Sequence, residues 1–343
     1  MKRVYVAGGS GGHILPAMTM ARQHPHDEHY FVALDRDLDR SLLAGNDWIT
    51  QTAFLSLDTI RLRAIRAYPA YGAQLGSALR ISWDLLAAWK PDEIVSMGGY
   101  ISVPFCSVAW LRGIPIRLYE LNAEVGTAVR MLSPSATEIL CCFDEAAQRV
   151  SQQVSWLSWI QRAPRVTTAA YPMRYTAGQK VSRAEACAQL GLDTNHPVLL
   201  VLGGSQGSDC INGLIISWLY TLSASQRHTI QIIHQTGSRS YDFICEQYAQ
   251  FTMRSIIFAY REDLATCYAA SSCAISRAGS GAIHELTWFG VSTLLVPLDM
   301  EVTEHQYFNA CAAVMRHSNV MSMVENDSER GRIFQWLTQS VLG

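Results

Sequence analysis

The sequence predicts an α/β protein built as two doubly wound parallel-sheet domains facing a cleft. Three observations carry that prediction. Short apolar runs alternate with longer helical stretches along the whole chain. One run in each half empties into a glycine-rich loop: Gly8-Gly9-Ser10-Gly11-Gly12-His13 after 3–7, and Gly203-Gly204-Ser205-Gln206-Gly207 after 198–202. The length of 343 residues suits two domains.

Taken in order, the first half reads as strands at 3–7, 30–34, 93–97, 116–119 and 138–142. The second half reads as strands at 198–202, 229–234, 255–258, 273–276 and 293–296. Continuously apolar strands separated by helices indicate parallel sheets covered on both faces. Residues 155–184 lose periodicity and hold Pro164 and Pro172, so they read as the linker. The expected domains are 1–165 and 166–322. A C-terminal helix at 323–343 is expected to pack back on the first domain. Ligands of such sheets sit at the carboxyl ends of the strands, which is where both glycine loops fall.

Composition narrows the class. Hydrophobic residues make up 49% and charged residues 16%, too apolar for disorder. A net charge of −2 gives no sign of a nucleic-acid partner. Nine scattered cysteines without a CxxC pair read as reduced, mostly buried thiols of a cytosolic protein. There is no signal-peptide pattern, and no run approaches the roughly 18 apolar residues of a membrane span.

Four constellations carry the chemistry. Glycines at 8, 9, 11 and 12 let a charged group approach the backbone, with a helix N-terminus behind them. Pro16 falls near the first turn of that helix. His13 stands at the loop-to-helix junction, as a base for chemistry near pH 7 or as a surface histidine. The dinucleotide fingerprint fails, because Ile14 takes its third glycine position. The second constellation is 277–285, where a small-residue turn opens a helix aimed at an anion. Glu285 in its early turns suits a ribose diol, or simply complements the helix dipole. The third is 305–309, where His305, Gln306 and Asn309 share a helix face that suits sugar hydroxyls or solvent. The fourth is Tyr119-Glu120-Leu121-Asn122 at a strand end, a site or a loop cap.

Seven segments in order resemble the MurG family of glycosyltransferases. They are GGSGGHILPA at 8–17, MGGYISVP at 97–104, GIPIRLYELNAEVG at 113–126, LGGSQGSDCIN at 202–212, HQTG at 234–237, SRAGSGAIHE at 276–285 and VP…HQYFNA at 296–310. The resemblance implies the GT-B fold of two Rossmann-like domains. It also implies an inverting, metal-independent transfer of N-acetylglucosamine from UDP-N-acetylglucosamine to the C4 hydroxyl of the lipid I muramyl sugar. That step gives lipid II, within peptidoglycan synthesis and hence cell shape and division.

By the same resemblance the donor is contacted by Ser10, Gly11, Gly12, Asn122, Arg174, Ser205, Tyr260, Ser280, Gly281, Ala282, Ile283, His284, Glu285 and Gln306. Ser10, Gly11, Gly12, His13, Gly99 and Tyr100 line the acceptor diphosphate. His13 is the expected base and Glu120 the second candidate. No metal site and no cofactor are expected. The chain departs from the family pattern at Tyr119 and Leu121, near Val129, at Ala170-Tyr171 before Pro172, and at Tyr260. These departures surround the sugar and acceptor side. The open alternatives are another GT-B sugar transferase or epimerase, or a UDP-sugar-binding homologue of weak activity.

A lipid-linked acceptor also implies docking on the cytoplasmic face of the plasma membrane. Arg61, Arg63, Arg66, Arg80 and Lys90, interleaved with Tyr68, Tyr71, Trp83 and Trp89 and followed by Phe105 and Trp110, suit an anionic interface.

Overall fold

The computed structural model describes residues 1–9, 11–57, 68–156, 163–204, 206–298, 304–324 and 326–343. The chain divides into two compact units, Met1–Arg174 and Tyr175–Gly343.

The first unit is a seven-stranded, wholly parallel sheet. Its strands are β1 (Lys2–Val6), β2 (Glu28–Leu34), β3 (Gln51–Leu55), β4 (Glu93–Ser96), β5 (Ile116–Glu120), β6 (Glu138–Cys141) and β7 (Arg165–Thr168). They lie in the order β3-β2-β1-β4-β5-β6-β7. Helices α1 (Gly11–Arg22), α2 (Asp37–Leu43), α3 (Tyr68–Trp89), α4 (Ser102–Leu111), α5 (Thr127–Leu132) and α6 (Asp144–Val154) make the crossovers. The central strands are buried on both faces, as parallel sheets require.

The second unit repeats the architecture with six parallel strands: β8 (Val198–Leu202), β9 (Gln231–Gln235), β10 (Arg254–Phe258), β11 (Cys273–Ser276), β12 (Ser292–Leu295) and β13 (Val320–Ser322). Their order is β10-β9-β8-β11-β12-β13. The helices are α7 (Arg183–Leu190), α8 (Asp209–Thr221), α9 (Ala224–His228), α10 (Tyr241–Tyr248), α11 (Ala265–Ala270), α12 (Ser280–Phe289), α13 (Glu304–Arg316) and α14 (Asp327–Leu342). Serines cap the starts of α7 and α8, where Oγ of Ser182 and Ser208 accepts a first-turn N–H. Gly191 and Gly290 end α7 and α12 in the left-handed conformation.

The ten strands expected from sequence are all present. Three more, β3, β7 and β13, occupy sheet edges. Strand β7 corrects the expected boundary: it pairs with β6 from Glu138↔Arg165 to Cys141↔Thr168, so the first unit runs on to Arg174. The C-terminal helix is a second correction. Ile333, Leu337 and Val341 of α14 sit in the core of the second unit with Trp218, Ile215 and Leu199, and the Trp218 indole N–H donates to Thr338 at 3.0 Å. A third concerns Pro16, which lies in the second turn of α1, where it removes the N–H that would bond the Gly12 carbonyl. A fourth concerns aromatic exposure. Phe105 is in the core, and Trp89 is buried with its N–H on Gln51.

Because α14 completes a core, Leu337→Ala should cost about 2–5 kcal/mol in urea denaturation. Hydrogen exchange should show the loss of protection in residues 198–342 and not in the first sheet. Loss confined to the first sheet would contradict this packing.

Candidate active site

In the first sheet the chain leaves β1 for β2 on one side and for β4 on the other, so the topological switch point lies between β1 and β4. The loops after these two strands meet there. Gly98 and Gly99 follow β4 with φ of 79° and 77°, a conformation that favours glycine. A Cβ on Gly99 would lie 3.7 Å from both the Gly8 carbonyl oxygen and His13 Nδ1. The hydroxyl of Ser102 donates to the Gly98 carbonyl at 2.6 Å, and Ser96 Oγ accepts the Gly98 N–H at 3.2 Å. His13 Nδ1 lies 3.2 Å from the Gly8 carbonyl. A carbonyl only accepts, so that nitrogen carries the proton and the lone pair of the neutral ring is on Nε2. Tyr100 is tied to the end of β2, its hydroxyl accepting from Arg36 at 2.8 Å.

Asp39 was not apparent from sequence. It is wholly buried under the glycine loop, and its Oδ2 accepts the N–H groups of Gly9 at 2.8 Å and Leu34 at 3.1 Å. A Cβ on Gly8 would come within 2.9 Å of that oxygen. Gly8 is therefore demanded by the packing of Asp39, and the Gly9 amide is already used. Gly11 and Gly12, at the start of α1, keep the role of presenting a helix N-terminus. Ser10 lies outside the described residues.

Glu120 ends β5, two places along the sheet from β1. It is 3% exposed. One carboxylate oxygen accepts the Asn122 N–H at 3.0 Å and its side-chain amide at 3.3 Å, and the other accepts the Gly126 N–H at 2.7 Å. Burial raises its pKa to about 7 against these hydrogen bonds. It is the anchor of its own loop.

In the second sheet the switch point lies between β8 and β11. The loops after β8 and β9 are in backbone contact. A Cβ on Gly207 would fall 2.1 Å from the Thr236 carbonyl oxygen, and one on Gly237 2.3 Å from that of Gln206. Their φ values are 78° and 81°. Behind them His234 contacts Tyr248 through Nδ1 and Asn212 through Nε2, both at 3.0 Å, and Asn212 donates to the Thr236 carbonyl at 3.0 Å. Burial pushes the His234 pKa down to about 3. Gln235 donates to the Gly204 carbonyl at 2.9 Å and accepts the Arg261 N–H. This fastens the loop carrying Tyr260, which is exposed. Ser205 lies outside the described residues.

Helix α12 starts across the switch point from that loop. Its first-turn N–H groups, on Ser280, Gly281 and Ala282, point out of the helix end with its positive dipole. Ile283 does not share this role: its N–H bonds the Gly279 carbonyl at 3.0 Å and its side chain packs with Ala278, Leu295 and Ala310. His284 is held by the Ser280 carbonyl at 2.8 Å, and burial lowers its pKa. Glu285 is 8% exposed and accepts the Tyr268 hydroxyl proton at 2.7 Å. On α13, Gln306 Oε1 accepts the Leu298 N–H at 3.1 Å, which leaves the Nε2 donors as what it offers a ligand. Asn309 is no sugar-facing amide: it is buried and donates to the Ala278 carbonyl at 3.2 Å, holding the β11–α12 turn. Arg174 is the last residue of the first unit. The next residue, Tyr175, is tied to the second unit by the Leu264 N–H at 3.0 Å.

Two doubly wound parallel sheets, each with a backbone loop and a helix N-terminus at its switch point, define a two-domain α/β protein of the GT-B class. The glycosyltransferase family 28 N-terminal domain matches residues 4–141, and the family 28 C-terminal domain matches residues 198–341. A protein of Anaeromyxobacter dehalogenans (strain 2CP-C) is 30% identical over 331 residues, spanning 94% of this chain and 80% of its own. One of Moorella thermoacetica is 28% identical over 352 residues, 98% and 89% of the two chains. Both are named UDP-N-acetylglucosamine--N-acetylmuramyl-(pentapeptide) pyrophosphoryl-undecaprenol N-acetylglucosamine transferase. The chain belongs to glycosyltransferase family 28. In fold it is similar to Acinetobacter baumannii MurG, with a TM-score of 0.69 and 22% identity over 99% of this chain and 91% of that one. It is also similar in fold to Neisseria meningitidis UDP-GlcNAc 2-epimerase, with a TM-score of 0.64 and 13% identity over 99% and 92%.

The Glu120 environment makes a prediction. Its folded pKa stands near 7 and its unfolded value at 4.5. Its contribution to stability is therefore fully present below pH 4.5 and is lost as pH rises toward 7, where burial of the charge is resisted. The difference in unfolding free energy between the parent and Glu120→Gln should fall by about 3 kcal/mol between pH 4.5 and 7.5. A pH-independent difference in urea denaturation would show that the carboxylate is not desolvated.

Proposed function

We propose that this chain transfers N-acetylglucosamine from UDP-N-acetylglucosamine to undecaprenyl-linked lipid I, forming lipid II. The observation that carries the reading is end-to-end similarity, at 28–30% identity, to relatives named for that transfer. The epimerase likeness, at 13% identity, is one of fold.

In this reading most of the donor contacts come from the second unit, with Arg174 and Asn122 added from the first. The first-turn N–H groups of Ser280, Gly281 and Ala282 meet the diphosphate, with Ser205 and Arg174 as further donors. The backbone near Tyr260 meets the uracil. Glu285 takes the ribose hydroxyls, and Gln306 and Asn122 address the sugar. The first unit holds the acceptor. Its diphosphate lies at Ser10, Gly11, Gly12 and His13, beside Gly99 and Tyr100. The acceptor hydroxyl attacks the anomeric carbon opposite UDP, that C–O bond to UDP breaks, and the configuration inverts through an oxocarbenium-like state. The charge developing on UDP is met by the positive end of α12. His13 Nε2 takes the hydroxyl proton. Glu120 is set aside as the base, because both its oxygens hold its own loop.

Membrane docking belongs to the same reading. Trp83, Trp110 and Leu111 are 49%, 53% and 69% exposed on α3 and α4. The Arg112 guanidinium lies 4.5 Å from the Trp83 ring centroid, and Arg80 on α3 and Lys90 just after it are exposed. Cations beside exposed tryptophans suit the cytoplasmic face of an anionic membrane. Among the described residues no helix is long and apolar enough to cross a membrane. Arg61, Arg63 and Arg66, with the side chains of Tyr68 and Tyr71, lie outside the described residues.

His13→Ala should lower kcat by about 10²–10⁴-fold, with the donor KM changed only a few-fold, in an assay of UDP release and disaccharide formed from a lipid I analogue. Near-full turnover would remove His13 from the role, and no disaccharide from the parent would remove the activity. Replacing Trp83, Trp110 and Leu111 with serine should release the protein from anionic vesicles in sedimentation. Parent protein recovered wholly in the supernatant at low salt would refute docking.

A further inference from the structure

Glu285 is held from below by a cluster that none of the sequence motifs contains. The Tyr268 hydroxyl, on α11, donates to Glu285 Oε2 at 2.7 Å in a buried bond. The Tyr268 ring is itself clamped. Its centroid lies 5.1 Å from that of Phe289 and 6.1 Å from that of Tyr175, and the last two are 5.5 Å apart. Tyr175 accepts the N–H of Leu264, the residue that opens α11. The contacts close on themselves: Tyr175 fixes α11, α11 presents Tyr268, Tyr268 fixes Glu285 on α12, and Phe289 at the end of α12 returns to Tyr175.

Ring packing alone would be met by phenylalanine at 268. A buried hydroxyl is unfavourable unless it is bonded, and here the bond goes to a carboxylate, which makes it strong and directional. A glutamate side chain has three χ angles, each with several staggered or broad wells, so each hydrogen bond to its carboxylate narrows its orientation. Anchoring Oε2 restricts the orientation of the carboxylate before a ligand arrives, and preorganisation of this kind appears as affinity.

We propose that Tyr268 is a positioning residue of the nucleotide subsite. It holds Glu285 in the orientation that accepts a ribose diol, and so sets the preference for ribo- over deoxyribonucleotides. The proposal rests on the reading of Glu285 as the ribose-binding carboxylate.

Calorimetric titration of the full chain with UDP and with 2′-deoxy-UDP tests it. The parent should prefer UDP, and Glu285→Gln should lose that preference. Tyr268→Phe, which keeps the ring, should weaken UDP about tenfold and 2′-deoxy-UDP less, so the preference narrows. The double variant should bind UDP like Glu285→Gln alone, because the tyrosine acts through the carboxylate. In turnover, Tyr268→Phe should raise the donor KM with kcat little changed. If Glu285→Gln keeps the full preference, the ribose role and the proposal fall together. If Glu285→Gln loses it while Tyr268→Phe keeps it, Glu285 stands and the role of Tyr268 is overturned. Should Tyr268→Phe lose its melting transition, Tyr175→Phe replaces it and should narrow the preference in the same direction. An unchanged preference there also overturns the proposal.

Discussion

At the carboxyl edge of the second sheet, backbone meets backbone with no room for a side chain between. A Cβ at Gly207 or Gly237 would lie 2.1 or 2.3 Å from a carbonyl oxygen of the opposing loop, far inside any real contact. That approach locks the loops after β8 and β9 into one body. The buried Asn212–His234–Tyr248 chain holds it from behind, with every partner at 3.0 Å. The histidine works there as a neutral spacer, kept uncharged by burial. With those two loops fixed, the start of α12 follows the neighbouring strand β11 and presents its first-turn amides at the same sheet edge.

The first sheet reaches a similar rigidity by other means. Its loops are fastened by buried polar side chains: Asp39 under Gly9, Ser96 and Ser102 under Gly98, Glu120 under Asn122 and Gly126. Main-chain N–H groups donating to side-chain oxygens, and the Ser102 hydroxyl donating to the Gly98 carbonyl, set each turn. A buried carboxylate with such partners is strongly directional, and removing it strands the N–H groups it served.

Most of the ten expected strands were legible because they carry apolar runs, as the burial of central parallel strands requires, and the edge strand β10 was legible from Ile256-Ile257-Phe258. The three not expected, β3, β7 and β13, lie at edges and are only partly buried, so Arg165-Val-Thr-Thr168 carries no continuous apolar signal. The same logic divides the site. Strand–glycine–helix punctuation marked the breaks after β1, β8 and β11, although α1 already begins at Gly11 and α12 at Ser280. It did not say why each glycine is there. Gly8 answers to Asp39, 31 positions on, and Gly207 to Thr236 and Gly237. Tyr268 and Asn309 were invisible or misread because a hydrogen bond between distant elements leaves no periodicity. A short amide-rich helix face looks the same whether it meets a sugar or, like Asn309, a neighbouring carbonyl.

Glu120 and His13 show how value and placement can point to different residues. A carboxylate with its pKa raised to about 7 matches a general base at neutral pH. The same burial that raises the pKa has turned the oxygens inward, onto Asn122 and Gly126. Moving one outward to accept a proton would open the loop it supports. His13 is held through Nδ1. Its Nδ1–H rests on the Gly8 carbonyl, and Gly8 is fixed in turn by Asp39 and Leu34. That contact sets the tautomer and the orientation of the ring together. A tuned pKa is useful to catalysis only on a group whose other hydrogen bonds leave an acceptor available to the reaction, and those of Glu120 commit both its oxygens to its own loop.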